Sequence, residues 1–128
     1  MNNDCLNKIK KRLDELALYC LEEGIEDSSQ FELNKKSRQL AEEFFRELES
    51  DWVPSIGASY DGHIECLWIV KIQPYKQLTI RFNPGISEKA MIYVIEQGKS
   101  DLCIITEIMS SYIDLVDVVK RYDWIKHR

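Results

Sequence analysis

The chain is poor in the residues around which small enzymes are commonly built. Histidine occurs twice, at His63 and His127. No HExxH pair, glycine-rich phosphate loop before a helix, or GxSxG elbow is present, which excludes the commonest zincin, phosphate-loop and hydrolase chemistries. The four cysteines (Cys5, Cys20, Cys66 and Cys103) are scattered and form no CxxC pair. That removes the usual zinc and dithiol motifs, and a disulfide framework would need an oxidising compartment that nothing else indicates. Glycine is limited to five residues and proline to three, so neither a collagenous nor a low-complexity reading applies.

Cations are also in deficit. Lysine and arginine number 17 against 22 acidic residues, for a net charge of −5 and a pI near 5.1. Phosphate backbones are bound by clustered cations, so this balance argues against a nucleic-acid reader. It suits a protein partner with a basic surface, because complementary potentials steer encounter. No apolar run approaches the roughly 20 residues of a membrane-spanning helix. The N-terminal MNNDCLNKIKK lacks the apolar core of a signal peptide, so a cytoplasmic protein with no membrane partner is expected. No cofactor, metal or catalytic residue is expected.

What is present is an ordinary globular mixture, 45% hydrophobic and 30% charged, over 128 residues. That is one domain's length, long enough to bury roughly two-thirds of the unfolded surface. Leu6, Ile9, Leu13, Leu16 and Cys20 recur at spacings of three and four, which predicts a first helix running to about Glu23, capped by Asn3 or Asp4 and stopped by Gly24. Lys8, Lys10, Lys11 and Arg12 fall largely off that stripe, on a solvated face. Ser29 and Glu32 have capping-box spacing and predict the start of a second helix. Its buried side carries Leu33, Leu40, Ala41, Phe44, Phe45 and Leu48; its wet side carries Glu42, Glu43, Glu47 and Glu49. Pro54 predicts a stop near Asp51.

The centre of the chain is a hairpin. Ile64, Cys66, Trp68, Val70 and Ile72 alternate with Glu65, Leu67, Ile69 and Lys71, a period of two that places one apolar face on a strand. A two-residue Asp61-Gly62 loop would pair Ala58 with Glu65 and set the two apolar rows on opposite faces. A three-residue loop with Gly62 in a G1 bulge pairs Ala58 with Ile64 and Ile56 with Cys66, so facing decides for the bulge. Leu78, Ile80 and Phe82 predict a third strand. AMIYVI before Gln97 and LCIITEIM from Leu102 to Met109 are apolar on both faces, which reads as two central strands covered on both sides; the alternative is that one outer face is an interface. Ser110 and Ser111 can cap a last helix, with Trp124 and Ile125 docking on the sheet. The expected fold is α+β: an antiparallel sheet of about five strands, with two N-terminal helices and one C-terminal helix packed on it.

The stretch from Ala41 to Phe82 carries a helix ending in Trp52-Val53-Pro54, then Ile56, Asp61-Gly62, Ile64 and Trp68. It resembles small bacterial and phage-borne proteins in which a W-x-P helix end leads to a D-G hairpin and a strand written roughly V-x-L-E-W. Here Leu67 stands where that pattern has glutamate, and Ala58 where a second proline is usual. The resemblance implies an α+β domain from a mobile-element or toxin–antitoxin setting, and implies no catalytic residue.

These features together suggest a small acidic binding protein, such as an immunity protein, an antitoxin or an inhibitor of a defence nuclease, that covers a basic functional surface of its target. Candidate contact residues are Glu42, Glu43, Glu47 and Glu49 on the second helix, and His63, Glu65, Lys71 and Arg81 on the sheet. One rival is a structural subunit or homodimer joined through an exposed apolar sheet face or the first helix. The other is an enzyme using His63, Glu65 and Arg81. His63 and Cys66 fall on opposite strand faces, which argues against a Cys–His dyad.

Overall fold

The computed structural model describes residues 3–26, 33–48, 50–59, 62–83, 89–98 and 102–126. Helix α1 spans Asn3–Glu26 and α2 spans Lys35–Glu47. The expected glycine stop does not operate, because α1 continues through Gly24 to Glu26. The Ser29–Glu32 capping box lies outside the described residues. The cap that opens α2 is Asn34, whose Oδ1 accepts from Ser37 N at 2.8 Å, satisfying one of the amides a helix start leaves unpaired. The end of α2 comes earlier than Asp51, at Glu47, where Leu48 turns extended. Near the start of α1, the Cys5 thiol donates to Asp51 O beyond the end of α2. Further along α1, Asp14 pairs with Arg38 at the start of α2. The two helices are therefore antiparallel.

Five strands follow: β1 (Ser55–Ala58), β2 (Ile64–Val70), β3 (Lys76–Phe82), β4 (Lys89–Gln97) and β5 (Cys103–Ser111). They form one antiparallel meander in chain order. The bulged hairpin register is observed: Ala58 pairs with Ile64 and Ile56 with Cys66. Gly62 has φ 82°, the left-handed geometry a G1 bulge requires. Strand β2 ends at Val70, so Ile72 does not extend its apolar row and is exposed in the following turn.

All three helices cover the same side of the sheet. Ile56, Ile64, Cys66, Trp68, Leu78, Ile80, Phe82, Ala90, Ile92 and Val94 point to that side and are buried. Above them lie Ile9, Leu13 and Leu16 of α1, with Ala41, Phe44 and Phe45 of α2. Phe45 sits 6.0 Å from Trp68 and 6.4 Å from Phe82, ring centre to ring centre. The last helix is short: α3 spans Leu115–Lys120, and Asp123–Ile125 form a single 3-10 turn. Ile125 is buried, and Trp124 packs on Trp52 at 6.3 Å. Ser50 holds this end in place, its Oγ donating to Ile125 O at 2.8 Å.

Two expectations for β4 and β5 fail together. Both-faced apolarity suggested central strands, yet β5 is an edge and only the helix side of β4 is covered. Cys103, expected on a buried face, is exposed on β5, whereas Cys66 is fully buried. Cys20 lies outside the described side chains. Among the described residues, no helix is long and apolar enough to cross a membrane.

Candidate interaction surface

Because side chains alternate along each strand and the helices occupy one side, the odd-numbered residues of β2 to β5 form a second, uncovered face. Its middle is polar and internally bonded. Along β3, Tyr75 Oη donates to Gln77 Oε1 at 2.6 Å, and Gln77 Nε2 donates to Thr79 Oγ1 at 3.3 Å. Next in line, Arg81 pairs across the strands with Glu65 at 2.7 Å. Each side of this polar stripe is apolar. Leu67 and Ile69 lie on β2; Met91, Tyr93 and Ile95 lie on β4, facing Met109, Glu107 and Ile105 of β5. Ile105 is 69% exposed, Met109 54% and Tyr93 37%. Tyr93 Oη reaches Glu107 Oε1 at 3.4 Å.

The eight residues singled out from the sequence do not form one surface. Glu42, Glu43 and Glu47 lie on α2, on the helix side, and Glu49 is outside the described residues. Glu65 and Arg81 occupy the opposite, uncovered side, and half-buried His63 immediately precedes β2. Lys71 follows the far end of β2, about 20 Å along the strand from Glu65 at the usual rise per residue. One flat partner surface cannot meet both groups.

The α2 glutamates are not a field of one sign. Glu42 accepts from Arg38 Nε at 3.1 Å, and Glu43 accepts from Gln39 Nε2 at 3.2 Å. Lys35, Lys36 and Arg46 share the helix. Burial lowers the pKa of Arg38, but hydrogen bonds to Asp14 and Glu42 outweigh it and leave the guanidinium more firmly charged than usual. On the sheet, Glu65 and Arg81 are engaged with each other.

Burial pushes the Cys66 thiol well above its ordinary range, with neighbouring Glu65 adding to the effect. A thiol held neutral on the covered side of the sheet is a packing group rather than a nucleophile. Among the described residues, no cluster of histidine, cysteine and carboxylate could hold a metal ion. Comparison with protein-family models, with curated proteins and with solved structures finds no match to this chain.

The apolar half of the face is hard to find from sequence because its residues resemble core. The informative signal is compositional: β5 carries a single charge, Glu107, across CIITEIMSS.

Proposed function

We propose that this protein is a protein-binding module acting by occupation, and that the uncovered face of its sheet is the contact surface. The observation that supports this most directly is the cluster of exposed Tyr93, Ile105 and Met109, with half-buried Met91 linking it to the Glu65–Arg81 pair. Interfaces favour this mixture of methionine, aromatic and arginine side chains over a merely solvated one. The net charge of −5 supports a partner with a basic surface, as the target of an immunity protein, antitoxin or nuclease inhibitor would have. The target would be blocked by coverage, without chemistry at His63, Glu65 or Arg81.

The test is affinity capture from native cells with the wild type and with Tyr93→Asp/Met109→Asp, two exposed changes that leave the core intact. The expected result is a partner recovered by the wild type, bound more tightly at low salt, and lost with the variant. Recovery of the same partner by both proteins would overturn the assignment of the face.

A further inference from the structure

The two edges of the sheet are treated differently. Strand β1 has only four residues, follows Pro54, and has its outward Ile56 carbonyl occupied by Arg12 Nε of α1 at 3.0 Å. These are ordinary ways of blunting an edge. Strand β5 has nine residues, contains no proline, and has no described segment beyond it.

Its outward backbone groups can be assigned. Gly98 N donates to Leu102 O at 2.7 Å, which fixes 98/102 as a hydrogen-bonded pair. In an antiparallel ladder such pairs recur every second residue, so Thr106 and its even-numbered neighbours bond to β4. Cys103, Ile105, Glu107 and Met109 therefore present their N–H and C=O groups outward. Edges of this length and apolarity are templates for another strand.

We infer that β5 pairs antiparallel with β5 of a second copy of this chain, with Thr106 facing Thr106 on the twofold axis. The register follows from side chains. Complete overlap of the strands would centre on Glu107 and set two carboxylates directly opposite, which is unfavourable. Moving the centre to Thr106 places Ile104 opposite Ile108 on the helix side, Cys103 opposite Met109 on the other, and Glu107 opposite Ile105. Moving it instead to Ile108 would leave Ile104 uncovered and set Ile105 against Ser111. Centring on Thr106 covers Ile104, which is 63% exposed although it points to the helix side.

A second feature agrees with that register. Between the end of β5 and α3 lies a recess of about 320 Å³, with Ile108, Ser110 and Val118 in its wall and Asp117 and Arg121 among its polar lining. Leu102, 71% exposed, comes opposite Ser110 of the second copy and is positioned to enter this recess. The contact is isologous, so each chain gives a leucine and receives one. This inference goes beyond the proposed partner surface: it uses the edge, not the face, and joins two faces into one continuous sheet.

The experiment is sedimentation velocity on the full chain from low micromolar to near-millimolar concentration. The expected result is a mass that doubles with concentration, and loss of the dimer in Ile105→Pro. The amide removed by that change points away from β4, so the monomer should keep its circular dichroism. Independently, Thr106→Cys in a Cys103→Ser background should give a disulfide-linked dimer on mild oxidation, because facing Cα atoms in a non-hydrogen-bonded pair lie near 4.5 Å. Ile105→Cys in the same background should not. A strict monomer throughout the range, a dimer unaffected by Ile105→Pro, or crosslinking at 105 in preference to 106 would each overturn the proposal. Because Met109 lies in this seam, the face is read separately through Tyr93→Asp alone, a change on β4 outside the β5 contact.

Discussion

Ile64 N donates to Ser37 Oγ at 2.8 Å, and the same hydroxyl donates to Phe82 O at 2.5 Å. One buried serine on α2 thus bridges the start of β2 and the end of β3. Asn34 N adds a third tie, to Gly62 O at 2.8 Å. Ser37→Ala would leave a buried donor and a buried acceptor unsatisfied, at a cost of about 1–3 kcal/mol. Urea unfolding should show a lower midpoint with an unchanged slope.

Trp68 is fully buried, and its Nε1 donates to Trp52 O at 3.3 Å. Trp68→Phe keeps most of the apolar volume but loses that bond. Trp68→Ala also opens a cavity beneath Phe45, and large-to-small changes of this kind cost about 3–5 kcal/mol. The alanine variant should therefore be far less stable than the phenylalanine variant by thermal or denaturant unfolding. Equal losses would show that the indole is not a packing centre.

The hairpin register is legible in the sequence because it is overdetermined. Ala58, Ile64 and Cys66 must share a face, and Gly62 supplies the only inexpensive residue at the bulge. The exposure of β5 is not legible in the same way, since apolarity on both faces describes a central strand and a sticky edge equally well. Only the order of strands distinguishes them, and order is a property of the whole chain. Capping-box spacing points to Ser29 as the start of the second helix, but α2 opens at Lys35, where Ser37 N donates to Asn34 Oδ1. The residues of the uncovered face are legible individually, as in Glu65 with Arg81, but the separation of that pair from the α2 glutamates depends on which side of the sheet the helices take.

Arg12 joins α1 to the protected edge through its bond to Ile56 O. Arg12→Ala should release that carbonyl to solvent and weaken the α1–β1 contact by about 1 kcal/mol, the net worth of a typical hydrogen bond. Amide exchange is the sensitive readout. Protection should fall first in β1 and in the facing turns of α1, while β3 and β4 exchange at the wild-type rate. A uniform loss across the sheet would mean that Arg12 acts on global stability instead.

The described cysteines should separate by reactivity. Cys103 is exposed, whereas Cys5 and Cys66 are buried, so a thiol reagent at neutral pH should label Cys103 in the native protein and the other two only after unfolding, as read by mass spectrometry. Stability should also fall in alkali. The pKa of Cys66 is raised in the folded chain, so its contribution is complete below the unfolded thiol pKa of about 8.5 and is lost as pH rises from there toward the folded value. Between those two values the unfolded chain ionises and the native one does not, which weakens folding by about 1.4 kcal/mol per pH unit from this one group. Cys66→Ala would lower absolute stability through its small cavity yet remove that part of the alkaline slope. An unchanged slope in the variant would show that other groups, Tyr122 among them, carry the pH dependence, since burial and Glu96 raise the Tyr122 phenol as well.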